Sequence, residues 1–482
     1  MNNEKKLVVK GIFWTGFQMV VNQGFAFIIR LVLARLLFPE QFGLVGMATV
    51  FTGFVQVLND LGIGAALVQK KEQQLTAAHY HTAFWTGIVW STALYLIISF
   101  GVAPLAVLFY DEPLLRSLIP VISLGILSSP INLVNKAQLT KKMNFKKIAF
   151  VDNTSNIISG SIALGLALWG AGVWSLAFNS VASILVAIPL YFRATGWLPK
   201  FIWDRKAFKD IFGFGVYTTG TNVANYLINN IDYLLIGKLL SAGALGAYTF
   251  AFGLTDTFRS RLMAVINNVM YPMYGKKQNE PVALKNYYLK VVNYNSLIIY
   301  PIMLAFFTFS RPIIENFFGD KWEASIIPLK IMAVAVMFHM MVNSNTALIR
   351  GMGRPDLEMK LQLFKSSIFV PMLVAGIHFY GILGASCAVL INKIIAVIIA
   401  QYTFNNLLNI KVKTTEFINA VKNPWIASIV GFLIGYFIYE QLGFNFYISL
   451  IIQFVSYCFS IWLLMGHELK VQVKQLKLAR QK

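Results

Sequence analysis

The chain has 482 residues, of which 57% are hydrophobic and only 13% charged, with a mean hydropathy of +0.64. Soluble domains carry roughly 45–50% apolar and about 25% charged residues, so a water-soluble globule of this composition would expose large apolar patches and aggregate. The formal charge of +21 comes from 41 Lys and Arg against 20 Asp and Glu. Those basic residues fall in short runs between long apolar stretches, not on one face with interleaved aromatics, so nucleic acid is not an expected partner.

Taken in chain order, Met1 to Lys10 is short and basic, and the apolar run after it is long enough to remain as a first helix rather than a cleaved signal. Apolar stretches predict further spans, giving helices near 11–36, 42–68, 79–109, 114–136, 148–169, 172–192 and 210–238. The series continues near 244–272, 288–310, 324–349, 361–380, 383–405, 423–441 and 445–466. Tight turns at Gly170–Gly172 and Gly381–Gly384 split runs that would otherwise read as single long helices. The expected fold is all-α, a polytopic membrane protein of about 14 transmembrane helices.

Charge sets the expected orientation. About 31 of the 41 Lys and Arg lie in one set of alternate loops, against Arg30, Arg35, Arg116, Lys238, Arg311 and Lys321 on the other side. The positive-inside rule makes the richer side cytoplasmic, and both termini share it.

An internal repeat divides the chain. Arg35-Leu-Leu-Phe-Pro-Glu-Gln-Phe-Gly43 recurs as Lys238-Leu-Leu-Ser-Ala-Gly-Ala-Leu-Gly246, and the same register pairs Asn22 with Asn225. A weaker echo pairs the turn at Gly172 with that at Gly384. Two parallel six-helix halves is a transporter architecture. The expected organisation is a six-helix bundle over 1–195, a cytoplasmic amphipathic linker over 196–209, and a second six-helix bundle over 210–406. Two extra helices over 407–466 and a basic cytoplasmic tail over 467–482 complete it. The linker, with Trp197, Phe201 and Trp203 among basic residues, and the tail both read as lying along the inner membrane surface.

Polar residues inside spans are expensive and either glue helices together or face a wet cavity. The seventh predicted helix carries Thr218, Asn222, Asn225, Asn229 and Asp232 on one face. The first carries Gln18, Asn22 and Arg30 with Gln23 beside them, and the second clusters Gln56, Asn59 and Asp60. Such stripes on the first helix of each half favour a shared cavity. The eighth helix adds Asp256, Arg259 and Arg261; Lys330 and Lys393 are further cations within spans, and His339 and Asn343 share a face of the tenth.

Cations therefore dominate the expected cavity. Arg30, Arg259, Arg261 and Lys393 are candidates to hold an anionic cargo, since arginine presents a planar two-donor fork to phosphate. Asn22, Gln23, Asn222, Asn225 and Asn229 are candidates for sugar hydroxyls. Asp60 and Asp256 are candidates for a coupling proton or sodium ion.

Other chemistry is not expected. His79 and His81 point to different faces of a helix and no histidine pair has metal-ligand spacing, while Cys387 and Cys458 read as small buried hydrophobes. There is no phosphate-cradling Gly-x-x-x-x-Gly-Lys-[Ser/Thr] loop. The longest outer loop, around Arg311 to Glu323, is about a dozen residues, short for a functional loop of more than ~12–15. No cofactor, metal or enzymatic activity follows from the sequence.

At Ala34-Arg-Leu-Leu-Phe-Pro-Glu-Gln-Phe-Gly-Leu-Val45 the chain resembles the bacterial polysaccharide transporter family, which includes the O-antigen, colanic-acid and teichuronic-acid flippases of the multidrug/oligosaccharidyl-lipid/polysaccharide exporter superfamily. The similarity continues through Asp60-Leu-Gly-Ile-Gly-Ala-Ala-Leu-Val-Gln69, Ala103-Pro-Leu-Ala106 with Tyr110-Asp-Glu-Pro113, and Gly170-Ala-Gly-Val-Trp-Ser-Leu176. It is densest over the first 200 residues. The resemblance implies two six-helix bundles alternating between inward-open and outward-open states in a bacterial cytoplasmic membrane. The implied substrate is an anionic lipid-linked oligosaccharide, an undecaprenyl-diphosphate-linked sugar repeat unit. A polysaccharide polymerase and a chain-length regulator are the protein partners to consider, besides membrane lipids. Two rival readings stand beside it: a cation-coupled drug exporter, which predicts an acidic cavity, and a membrane-embedded polymerase or ligase, which predicts a large external loop.

Overall fold

The computed structural model describes residues 14, 18, 21, 22, 24–59, 63–69 and 75–481; the side chains of residues 65, 69, 212–224, 261, 264, 265, 268 and 468–481 lie outside that description. Among the described residues the regular structure is helical, without a strand. Among the described residues nine helices, some continued through kinks, are long and apolar enough to cross a membrane, from Pro39–Asn59 to Phe446–His467. The chain is a multi-pass membrane protein. One of the nine, Pro355–Leu407, is 53 residues long, more than twice the ~20 residues one crossing needs.

The first half comprises α1 (24–36), α2 (Pro39–Asn59), α3 (Ile63–Gln69), α4 (Ala77–Ile97), α5 (Ala103–Tyr110), α6 (Leu115–Leu127), α7 (Ser129–Lys141), α8 (Phe145–Leu168) and α9 (Val173–Thr195). Then follow α10 (Arg205–Leu239), α11 (Ala242–Lys276), α12 (Pro281–Thr308), α13 (Ser310–Ile313), α14 (Ile326–Met341), α15 (Asn345–Gly351), α16 (Pro355–Tyr402), α17 (Thr414–Tyr436) and α18 (Phe446–Gln481). Helix starts are set locally. Asn144 accepts from the Lys147 N–H at the start of α8, and Asp204 from the Ala207 N–H at the start of α10. Each satisfies an amide that lacks an intrahelical acceptor. Three of the long helices, α8, α10 and α11, fall outside the nine because polar residues interrupt their apolar runs.

The chain forms two compact units, Met1–Gly246 and Ala247–Lys482. In the first, Ile63, Leu67, Phe84, Val134 and Ile211 form an apolar core. In the second, Tyr274, Tyr288, Phe404 and Phe417 anchor a larger one. The last two helices are tied to α12 by polar contacts: Lys285 pairs with Glu416 at 2.7 Å, Asn293 donates to the Ala420 carbonyl, and Tyr457 donates to that of Leu297. α18 runs unbroken to Gln481, so the basic tail continues it.

Gly172 (φ 57°, ψ −128°) and Gly381 (φ 55°, ψ −134°) share a geometry that only glycine adopts readily. Each of the two expected glycine turns thus contains one glycine in this conformation. Gly384 has a different duty, packing so closely on Gly376 that a Cβ would lie 1.8 Å from its carbonyl oxygen. Gly43 and Gly246, equivalent by sequence, meet in space within the first unit. A Cβ at Gly43 would fall 1.7 Å from the Ala242 oxygen, and one at Gly246 would fall 1.8 Å from that of Pro39. Close backbone approach through small residues is how helices associate in lipid, where apolar burial gives little drive.

Three expectations change. The stretch from Arg311 to Glu323 is not an open loop: it folds as α13, a π turn and a 3₁₀ turn, with Trp322 fully buried against Phe250 and Arg311 paired to Glu315 and Glu323. Cys387 and Cys458 are exposed rather than buried, beside exposed Ile391, Val455 and Phe459 on faces that lipid would cover. The linker over 196–204 is an extended strap, with α10 already starting at Arg205.

That strap is fastened to the start of α4. The Lys200 N–H donates to His81 Nδ1 at 3.0 Å, the Asp204 N–H to Thr82, and Trp85 donates to the Lys200 carbonyl. Trp197 stacks on His81 with centroids 5.3 Å apart. His79 sits opposite Asp210 and accepts the Thr76 N–H. Sequence spacing places these histidines on different faces, and each face turns out to hold a different fastening.

Candidate functional site

Two polar clusters lie within the helices, one in each unit. In the first, α8 presents Asp152 and Asn156 one turn apart. Asp152 Oδ2 accepts from Lys136 at 2.9 Å and from Gln18 at 2.6 Å, and Oδ1 accepts from Tyr191 at 2.6 Å. Asn156 donates to Asn22 at 3.1 Å and accepts from Ser183 at 3.4 Å. All of these groups but Gln18 line a cavity of about 230 Å³, together with Asn132 and Ser155. Its one carboxylate is neutralised by one ammonium and holds three donors, and most of the remaining polar lining is amide and hydroxyl.

In the second unit, α11 and α14 meet at Arg259 and His339. Arg259 Nε donates to Asp256 Oδ1 at 2.8 Å, and Nη2 makes a shorter bond to the same oxygen. Nη1 donates to His339 Nε2 at 3.3 Å and to Met263 sulfur at 3.4 Å. A guanidinium only donates, so His339 accepts through Nε2. Four of the five N–H groups are thereby engaged, leaving one on Nη2. Lys393 and Lys365, both on α16, also bring their charges to bear on His339. The charges of three cations thus act on one histidine, with Asp256 the counter-ion of Arg259 and Glu358 acting on Lys365. In the turn just after α14 lies Asn343, whose side chain is buried with no hydrogen-bond partner among the described residues.

The candidates from sequence distribute unevenly. Arg259, Lys393 and Asp256 fall in the second-unit cluster, with Asp256 serving as the counter-ion of Arg259. Asn22 falls in the first-unit cavity. Arg30 is half-buried on α1, Asn225 half-buried and Asn229 exposed on α10. Gln23 and Asp60 lie outside the described residues, as do the side chains of Asn222 and Arg261. Sequence reading passed over Asp152, Asn156, Tyr191, Asn132 and Ser183 and assigned Lys136 and Lys365 to cytoplasmic loops. One signal was available: Asp152 and Asn156 stand four apart in a predicted span, the spacing that drew attention to the seventh helix.

A family model described as polysaccharide biosynthesis protein matches residues 32–328. The chain belongs to the polysaccharide biosynthesis protein family. The lipopolysaccharide biosynthesis protein WzxC of Escherichia coli is 25% identical over 407 residues, spanning 83% of this chain and 81% of that protein. The succinoglycan biosynthesis transport protein ExoT of Rhizobium meliloti is 22% identical and spans 91% and 88%. The teichuronic acid biosynthesis protein TuaB of Bacillus subtilis is 26% identical and spans 64% and 63%. Among solved structures, the lipid II flippase MurJ in an inward closed conformation superposes with a TM-score of 0.70 at 14% identity, covering 96% of this chain and all of that one. An inward-facing multidrug transporter of the same superfamily as the resemblance above reaches 0.62 at 15% identity, covering 83% and 98%. At such identities the likeness is one of fold.

Proposed function

We propose that this member of the polysaccharide biosynthesis family is a flippase, moving an undecaprenyl-diphosphate-linked oligosaccharide across a bacterial cytoplasmic membrane by alternating access. The observation that carries the reading is that Arg259, paired to Asp256 and bonded to His339, shares that histidine with the charges of Lys365 and Lys393. A diphosphate is the part of such a cargo that cannot cross lipid unaided, because an unpaired buried charge is costly. Arg259, locked by Asp256 and His339, presents its remaining Nη2 donor without the entropy loss of an unordered side chain. The two lysines supply mobile charge beside it.

Family membership and the names of WzxC, ExoT and TuaB point the same way. The remaining parts of the proposal follow from sequence: fourteen spans in two six-helix halves plus two, with both termini cytoplasmic. A polymerase and a chain-length regulator would take the product on the outer side. The carboxylates of the two clusters are each ion-paired, which fits an anionic cargo better than a cationic drug. The folded 310–325 segment leaves no large external loop there for a polymerase site.

Deletion of the gene tests this in cells. Lipid-linked repeat units should accumulate in the inner leaflet, with return to normal on supplying the wild-type chain. Unpolymerised units accumulating in the outer leaflet would instead indicate a polymerase.

A further inference from the structure

The first-unit cavity has chemistry unlike that of the cation cluster, and the difference identifies what it takes. Its volume of about 230 Å³ is far more than one water needs, on the order of 10–15 Å³ by the same kind of measure, yet below the roughly 300–1,000 Å³ of drug-sized sites. Its ionic pair is closed on itself: Asp152 already holds Lys136, Tyr191 and Gln18. A metal cation would have to displace an ammonium, and a phosphate would face the Asp152 carboxylate. What the walls offer instead is three amides, from Asn22, Asn132 and Asn156, with the hydroxyls of Ser155 and Ser183. Amides donate and accept side by side, which matches neighbouring hydroxyls on a ring. One feature is costly to the empty protein: Asn132 Oδ1 is buried with no hydrogen-bond partner among the described residues. Turning that amide over would bring an acceptor to the cavity wall, within reach of a ligand hydroxyl.

We propose that this cavity is a subsite for one uncharged sugar ring. The inference rests on the flippase reading, and it separates sugar recognition from charge recognition: hydroxyls are read in the first unit and the diphosphate in the second. Lys136 lies on the side that the positive-inside rule makes cytoplasmic, so the ring would be met where a lipid-linked unit is first presented. Asn132 and Asn156 are the wall amides on which the reading is tested.

The test uses the full chain in lipid nanodiscs, with saturation-transfer NMR on a panel of neutral monosaccharides (glucose, galactose, fucose, N-acetylglucosamine) and, separately, calorimetry with inorganic pyrophosphate. At least one sugar should give a signal that falls about tenfold in Asn132→Leu and in Asn156→Leu but persists in Arg259→Ala. Pyrophosphate binding should behave in the opposite way. Asn132→Leu should also leave the thermal midpoint unchanged or raised, since it removes an orphaned acceptor. No signal from any sugar, a signal indifferent to both Asn variants, or a lowered midpoint with sugar binding intact would overturn the subsite. Pyrophosphate binding that is absent in the wild type, with sugar binding present, would instead count against the diphosphate reading and leave the subsite standing.

Discussion

Each unit places a carboxylate in its polar cluster, Asp152 in the first and Asp256 in the second, but they are neutralised in different ways. Asp152 accepts from three separate side chains on three other segments, so its charge and lone pairs are spent in holding α7, α8 and α9 together. Asp256 is held by one residue a turn away on its own helix, and the charges of two α16 lysines also act on His339. The first arrangement is rich in amides; the second gathers arginine and lysine. On the proposed reading one chain carries a neutral polar site and an anion site, a division that no formal charge or stripe of polar residues would reveal.

The largest effect should come from removing the guanidinium. Arg259→Ala strands Asp256 and should cost on the order of 3 kcal/mol in stability, as for other ion pairs broken from one side. Adding Asp256→Ala should recover most of that stability, read as a thermal midpoint, without recovering transport. If the double variant transports normally, the pair is structural only.

Next in size are Lys365→Gln and Lys393→Gln. Each removes one charge-assisted contact of about 1.5–3 kcal/mol, so each should weaken pyrophosphate binding roughly tenfold by calorimetry, a change of about 1.4 kcal/mol. If either lysine variant binds pyrophosphate as the wild type does, that lysine is not part of the anion site.

Asp152→Asn sharpens the contrast from the other side. The amide keeps an acceptor for Tyr191 but loses the pairing with half-exposed Lys136, so the expected loss of stability is only about 1 kcal/mol. Pyrophosphate affinity should change less than twofold; a larger change would mean that the two clusters are coupled.

Smallest is Trp197→Ala, which removes the ring stacked on His81. Such a contact is worth about 0.5–1.5 kcal/mol, and limited proteolysis within 198–203 should quicken while ligand binding holds. Unchanged cleavage would show that the backbone bonds at Lys200 and Asp204 suffice to hold the strap.

Much of the architecture was legible in the sequence because lipid imposes one rule: backbone groups must be satisfied within helices, so long apolar runs read directly as helices. The contact of the Gly43 and Gly246 segments was not legible, because the sequence match says nothing of which backbones touch. Nor was it legible which glycine of the 381–384 turn takes the positive φ, because conformation leaves no mark on glycine itself. The site was half legible. Arg259, Asp256 and Lys393 stand out as charges within apolar runs, whereas Lys136 and Lys365 looked like loop lysines because helix packing, not sequence distance, decides which long side chains reach inward. The histidines at 79 and 81 were visible, but their partners over 196–210 lie more than a hundred residues away.

The central claim is that the second-unit cations carry the diphosphate across. Its most direct test is leaflet transfer of an undecaprenyl-diphosphate-linked oligosaccharide in proteoliposomes containing the wild type, Arg259→Lys or Arg259→Ala. The account predicts that Arg259→Lys retains part of the activity, since one charge remains but the fork is lost, and that Arg259→Ala falls at least tenfold. Transfer at the wild-type rate by both variants would contradict it.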